Sequence, residues 1–421
     1  MQVSHCNLRP LTLVVGVHLA DHSRTTRASH VSDPWFVLRD NESYAADWGN
    51  GMIRRDFLTR LSAAMLIAPT LGIVGRSRKA SGEKADHAGW RTFELTTSVD
   101  IADAAGRTCL WLPVPFDQRT DYQRALETKW EAPGASRAEV VAIAGYDVKA
   151  LRIEWPNSKS VQRVTLANRV ATCDRRVDVA SSGAASGSRE SARTLERYCR
   201  PTDLLPTDGI VKATAERITK AQHGDIEKAH ALYEWIVENA HRDPKTPGCG
   251  TGDVAAMLKT GNLGGKCADI NGLFVAMARS LAIPARDAYG IRVADSRLGY
   301  KSLSKNGDIS KGQHCRAEFH ARSHGWIPVD PADVRKVMLE ETPAGLPLDD
   351  PKVQAARARL FGAWEMNWVV YNHGHDVTLP GSRQGKIPFL MYPNGETAEG
   401  RLDSLDPMTF HYEIHSRELT V

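Results

Sequence analysis

The sequence predicts an α+β protein, and three observations carry that expectation. Apolar residues Ile270, Leu273, Phe274, Met277, Ala278 and Leu281 fall at the i, i+3, i+4, i+7 spacing of a core-facing helix. Segments on both sides, such as Trp90 to Ile101 and Gln313 to Phe319, alternate with period two, as half-buried strands do. At 421 residues the chain is long enough for two or three domains with ample buried core.

Composition excludes several classes. Apolar residues make up 42% and charged residues 25%, ordinary values for a globular protein. A net charge of +4 is mild at this size and gives no reason to expect a nucleic-acid or membrane-surface partner. The seven cysteines, at positions 6, 109, 173, 199, 249, 267 and 315, show no CxxC or zinc-like spacing. They do not read as a disulfide framework, and their odd number leaves at least one free thiol.

Residues 1–51 show no sustained periodicity and one short apolar run, Leu11 to Ala20. A different text begins at Met52-Ile53-Arg54-Arg55-Asp56-Phe57-Leu58, followed by the apolar run Leu61 to Val74 and the cations Arg76, Arg78 and Lys79. The run is too short for a comfortable membrane span, and Ala80 and Ala85 offer small residues for cleavage. The segment 52–85 resembles a twin-arginine export signal. That resemblance implies a periplasmic or extracellular protein, translation from Met52, and a non-native or disordered extension over 1–51.

The chain then divides as follows. Trp90 to Ile101, Thr108 to Val114, Glu139 to Trp155 (broken at Gly145) and Val161 to Val170 read as strands of an N-terminal β domain over 88–178. Pro113 and Pro115 suit a strand end. Ser181 to Ser191 is rich in Ser, Gly and Ala, and 179–200 reads as a linker. A core spans 201–345. Helices are expected over Asp208 to Gln222, over Asp225 to His241 with the stripe Ala229, Leu232, Tyr233, Ile236 and Val237, and briefly near Asp253 to Leu258. Asp243 to Gly252 is a loop. The helix opening at Cys267 stops before Pro284. Strands are expected at Ala288 to Val293, Gln313 to Phe319 and Gly325 to Val329. A C-terminal β extension covers 346–421, with a helix at Lys352 to Phe361 and strands at Trp364 to Tyr371, Ile387 to Tyr392 and Thr409 to His415.

The chemistry concentrates at Gly264-Gly265-Lys266-Cys267-Ala268-Asp269. Cys267 falls in the first turn of the buried helix, where free N–H groups and the positive dipole end favour a thiolate. A thiolate nucleophile needs a base in hydrogen-bond reach, and the base needs an acceptor that orients it. By itself, the position reads more readily as that of a buried structural cysteine.

Three blocks, taken in order, resemble the transglutaminase-like superfamily. They are Gly-Gly-Lys-Cys-Ala-Asp with its helix and Ile283-Pro284-Ala285-Arg286; His314-x-x-x-Glu318; and Gly325-Trp326-x-x-x-Asp330-Pro331. The resemblance covers roughly residues 205–335. It implies a transglutaminase/papain-like core, in which the helix bearing the cysteine packs on an antiparallel sheet. It also implies a triad of Cys267 as nucleophile, His314 as base and Asp330 as orienting acid. The implied activity is acyl transfer from a peptide or side-chain amide through a thioester, with hydrolysis the commoner outcome in bacterial members and cross-linking the other. The implied partner is a protein or peptide substrate, including cell-wall peptide. Arg316 departs from the family, many members of which carry an aromatic residue two after the histidine. The alternative is a non-catalytic peptide- or cell-wall-binding module that keeps the fold.

Neighbouring residues have blander readings. His320 and His324 read as surface histidines, Asp333 as a cap of the next helix, Asp269 as a support of the Cys267 turn and Cys315 as a core residue facing away. Cys249 is placed to approach Cys267 as a regulatory disulfide partner. The backbone N–H of Cys267 is an oxyanion donor, with Trp235 and Gln313 as candidates for a second. His373-Gly374-His375-Asp376 reads as a loop rather than a metal site, and Trp364, Trp368 and Tyr371 as buried packing. No cofactor or metal is expected, since no dense carboxylate loop is visible. The oligomeric state has no signature in the sequence.

Overall fold

Alternation decides the first third of the described chain. The computed structural model describes residues 89–101, 106–118, 120–157, 162–181 and 190–420. The expected extension (1–51), the export signal (52–85) and residues 182–189 of the linker lie outside the described residues. Strand β1 (Arg91–Ile101) buries Phe93, Leu95, Thr97, Val99 and Ile101 on one face, as its period predicts. β2 (Thr108–Pro113), β3 (Gln123–Glu131), β4 (Arg137–Ile143), β5 (Val148–Trp155), β6 (Gln162–Thr172) and the short β7 (Arg175–Arg176) follow. β3 was not expected. Its residues are largely half-buried or exposed and lack clean alternation, and it exists by pairing with β6 through a bulge between Ala125 and Glu127.

Helix α1 (Ala192–Arg197) lies inside the expected linker and starts where the Ser191 hydroxyl accepts the Thr194 N–H. Next come α2 (Gly209–Ile218), α3 (Asp225–Asn239), β8 (His241–Arg242), α4 (Val254–Thr260), β9 (Gly264–Gly265) and α5 (Cys267–Ser280). α5 is buried along its whole length except for its last residue, Ser280. Ile270, Leu273, Phe274 and Met277 are fully enclosed, each contributing about 1.5–3 kcal/mol by leaving water. The stop comes before Pro284. Ala282 takes a left-handed φ of 60° while Ile283 N donates to Ala278 O and Ala282 N to Arg279 O, a Schellman closure with alanine in glycine's place.

β10 (Ala285–Arg292), β11 (Gly307–Asp308), β12 (Gln313–Ala321), β13 (Gly325–Val329), α6 (Pro331–Glu340) and α7 (Pro351–Arg359) complete the core region. β14 (Ala363–Trp364), β15 (Trp368–Asn372), β16 (Asn394–Glu396) and β17 (His411–Leu419) follow. The expected strand over Ile387 to Tyr392 is absent; only Ile387 makes an isolated bridge, to Val377.

The antiparallel sheet β13-β12-β10-β15 carries α5 on one face, where Phe274, Phe319 and Ala317 share the largest apolar cluster with α2 and α3. Two further sheets, β11-β17-β1-β6-β3 and β16-β2-β5-β4, enclose a second cluster containing Val99, Leu110, Leu151 and Val164. The N-terminal and C-terminal β regions therefore share sheets: β17 pairs along β1, and β16 pairs with β2. A third cluster, with Phe93, Val170, Ile291 and Val369, ties the first of these sheets to β10 and β15. The fold is α+β. Among the described residues, no helix is long and apolar enough to cross a membrane.

Candidate active site

The first turn of α5 is held by a carboxylate seated among glycines. Asp269 accepts the N–H groups of Thr251 (3.1 Å), Gly252 (2.9 Å) and Lys266 (3.0 Å). A Cβ at Gly250 would lie 1.7 Å from its Oδ2, and one at Gly265 would lie 2.5 Å from its Cβ, so both positions require glycine. Ala268 N donates to Cys249 O at 2.9 Å, which ties the upstream loop to the same turn. Asp269 thus supports the Cys267 turn, as the sequence indicated.

Cys267 is the first residue of α5 and is 3% exposed. Its thiol is held well below the usual cysteine range. The Cys249 thiol donates to it, the Cys315 thiol does the same, burial opposes both, and the His314 imidazole adds a hydrogen bond and its charge. The same contacts push Cys249 well above that range; at Cys315 burial is the larger cause and the Cys267 thiolate the second. Cys315 therefore touches the site, contrary to the expectation from strand alternation. It faces α5, and the first residue of α5 is Cys267. Cys249 does approach Cys267, as a free thiol whose Sγ is 3.5 Å from Gln313 O.

His314, on β12, is buried, and its Nε2 lies 2.8 Å from Asp330 Oδ2. Nδ1 is left as the ring nitrogen free to serve the thiol. Behind the ring, Trp368 Nε1 donates to His314 O at 2.9 Å. Burial lowers the affinity of His314 for a proton, but Asp333 and Asp330 outweigh it and raise its pKa. Asp330 itself caps α6: its Oδ1 accepts the Asp333 N–H at 3.0 Å. The cap is thus Asp330, not Asp333 as expected. Asp333 sits in the first turn, 3.3 Å from His314 Nε2, and is ion-paired to Arg292. Burial and Asp333 push the Asp330 carboxyl upward, while His314 and Arg316 pull it back.

Asn271 joins these parts, and nothing in the sequence singled it out for this. One turn below Cys267, its Nδ2 donates to Asp330 Oδ1 (3.2 Å) and Cys315 O (2.9 Å), and its Oδ1 accepts Ala332 N–H (3.2 Å). The helix carrying the thiol is thereby fixed to the strand and to the acid. Arg316 does not reach the cleft. It is buried under the site, 3.6 Å from Asp330 Oδ2, with its guanidinium 4.7 Å from the Trp368 ring. His314, Asp330 and Asp333 are grouped closely enough to hold a cation, but Arg292 and Arg316 already compensate the two carboxylates.

Other expected residues fall elsewhere. His320 packs edge-on against Trp326, and His324 bonds Ser181 O at 2.9 Å. Glu318 is locked between Arg175 and Arg286. His373 is buried near Glu318, while His375 bonds Thr202. Trp364, Trp368 and Tyr371 are buried packing. Trp235 packs on the core cluster away from the cleft. Gln313 does line the cleft, with a buried Nε2 that has no partner.

That cleft has a volume of about 490 Å³ and opens over Cys267 and His314. Its other side is made by Tyr392, Leu405, Pro407, Phe410 and Tyr412, from a region without any sequence signal for the site.

Residues 212–331, which contain Cys267, Asn271, His314 and Asp330 but not Asp333 or the far side of the cleft, match the family model described as the transglutaminase-like superfamily. The chain belongs to the transglutaminase-like superfamily. An uncharacterized protein of Haemophilus influenzae is 35% identical over 345 residues, covering 78% of this chain and 91% of that protein. Among solved structures, a candidate cysteine protease from Cytophaga hutchinsonii is 14% identical with a TM-score of 0.47, covering 79% of this chain and 92% of its own. The periplasmic domain of TgpA from Pseudomonas aeruginosa bound to ethylmercury is 15% identical with a TM-score of 0.28, covering 55% and 90%. The superfamily core thus accounts for α2 to β13, and the surrounding sheets lie beyond the matched residues.

Proposed function

We propose that this protein is a thiol amidase or protease acting through Cys267, His314 and Asp330. The observation that carries this reading is the hydrogen bond of His314 to the helix-capping Asp330, beside a cysteine thiol held well below its usual range at a helix N-terminus. The thiolate adds to the amide carbonyl carbon, and the oxyanion is received by the Cys267 N–H and by the unpaired amide of Gln313. His314 passes its proton to the leaving nitrogen as the C–N bond breaks, which leaves a thioester. Water, deprotonated by His314, then releases the acid and restores the thiol. Water as the acceptor makes the enzyme a hydrolase and an amine would make it a cross-linking enzyme; we take hydrolysis as the outcome because it is the commoner one the resemblance implies for bacterial members.

A Cys267→Ala variant tests this directly. Turnover of peptide amides and capture of an acyl-enzyme should both disappear; retained activity rules the triad out. Labelling of residue 267 by a thiol probe at neutral pH separates the enzyme from a peptide- or cell-wall-binding module, which has no use for an activated thiol.

We further propose that residues 52–85 act as a twin-arginine signal that delivers the protein outside the cytoplasm. Paired replacement of Arg54 and Arg55 by lysine should trap the protein inside. A native peptide from residues 1–51 in the exported protein would refute the start at Met52.

A further inference from the structure

The charge of the cleft is one-sided. Arg242, Lys266, Arg292, Lys305, Lys311 and Lys336 line it together with Cys267 and His314, and among the described lining residues there is no aspartate or glutamate. Carboxylates outside the lining answer some of these cations. Asp333 pairs with Arg292, Glu340 serves both Arg242 and Lys336, and Asp308 lies near Lys305. Among the described residues Lys266 and Lys311 have no ion-pair partner, and Lys311 is exposed. The excess is local, because the whole chain carries only +4. A cleft lined by one sign focuses the field, concentrates anions and repels cations.

We propose that this cleft selects acyl substrates that carry a carboxylate next to the scissile amide. The proposal rests on the thiol-enzyme reading above and adds the substrate class. The peptide lies between the aromatic side at Tyr392 and Tyr412, which takes its apolar portions, and the lysine side, which takes its carboxylate. A side-chain carboxylate within the peptide and a free C-terminal carboxylate offer the same chemistry, and the experiment separates them.

Two measurements test it. In the first, Cys267 is alkylated by iodoacetate and by iodoacetamide, with the modified residue read by peptide mass spectrometry. The ratio of the two rates is compared with that of the same protein unfolded. The anionic reagent should gain several-fold on folding, and the Lys305→Gln/Lys311→Gln variant should lose part of that gain. A ratio equal to the unfolded value, or one unmoved in the double variant, overturns the proposal while leaving the reactive thiol intact. In the second, peptide binding to the Cys267→Ala protein is measured, which requires no reactivity. Peptides flanked by glutamate should bind about tenfold tighter than glutamine counterparts, and this preference should shrink with salt because the Debye length falls to about 10 Å at 0.1 M. Equal affinities for glutamate, glutamine and C-terminally amidated peptides overturn the proposal even if the thiol proves catalytic. If neither reagent labels Cys267 while glutamate peptides still bind preferentially, the enzyme reading fails and the anion selectivity stands. Within this series, tighter binding of an amidated glutamate peptide assigns the site to side-chain carboxylates. Tighter binding of a neutral peptide with a free C-terminus assigns it to chain ends.

Discussion

The two sides of the cleft follow opposite chemical plans. The side formed by α5, β12 and the start of α6 is built from buried ionisable groups whose geometry is over-determined: Asp330 alone accepts from His314, Asn271 and Asp333 N. The side formed by Tyr392, Leu405, Pro407, Phe410 and Tyr412 is uncharged and largely aromatic, with Leu405 exposed at its rim. In the proposed reaction the first side specifies which atoms react, and the second offers area without direction. Damage to the first should therefore appear in kcat and damage to the second in KM.

After Cys267→Ala, the largest effect should come from His314→Gln, which removes the proposed base and proton donor: kcat should fall by about 10²–10⁴-fold, while KM in steady-state assays changes little. The wild-type profile of kcat/KM against pH should be a bell. Its acid limb falls as the depressed Cys267 thiolate takes a proton, and its alkaline limb falls as the raised His314 loses one. A profile that keeps rising through the ordinary cysteine range would contradict the ion pair. Next, Gln313→Ala should lower kcat by about 10²-fold if its amide meets the oxyanion, and Trp235→Phe, which lies away from the cleft, should not.

Asn271→Ala is the sharper probe of the core side, because the residue touches no substrate. It leaves Asp330 Oδ1 and Ala332 N–H short of a partner, at a cost of about 1–3 kcal/mol in stability. The looser acid should also reduce kcat by about tenfold and displace the alkaline limb of the bell, which thermal melts and pH profiles would separate from simple destabilisation. The smallest effect belongs to the aromatic side. Leu405→Ser should raise KM for apolar peptides about threefold, on the order of the 0.7 kcal/mol that a partly exposed leucine contributes, with kcat unchanged. A fall in kcat instead would mean that this side also positions the reacting bond.

The two sides also differed in how far the sequence revealed them. Cys267, His314 and Asp330 were legible because each lies at a boundary that local patterns announce: a glycine pair before a helix, an alternating strand, and a strand end followed by proline. All three lie within residues 212–331, which match the transglutaminase-like superfamily. Asn271 was hidden by its helix, since a polar residue amid apolar ones carries no label saying which strand it will reach. Cys315 is a core residue, as expected, but it meets Cys267 rather than facing away, because alternation tells which face a residue takes but not what packs on that face. Asp333 was read as the cap for a related reason, as the choice between two carboxylates three residues apart depends on one backbone angle. The aromatic side was illegible altogether. Tyr392, Phe410 and Tyr412 meet the site only through the pairing of β16 and β17 with strands near the start of the described chain. β3 failed for a simpler reason: its half-exposed residues leave little hydrophobic signal to read.

The union of β1 with β17 has a consequence for assembly. Arg91 and Glu418, which join across that pair, are separated by 327 positions, so this contact closes one of the longest loops the described chain contains. Closure of this kind is entropically slow, and topologies rich in it reach the native state late. Until β17 docks, β1 presents a bare edge capable of pairing with another molecule. The aromatic side of the cleft, which arrives with the same segment, is also incomplete until then. Completion of the cleft and protection of the β1 edge thus come together in the docking of β17.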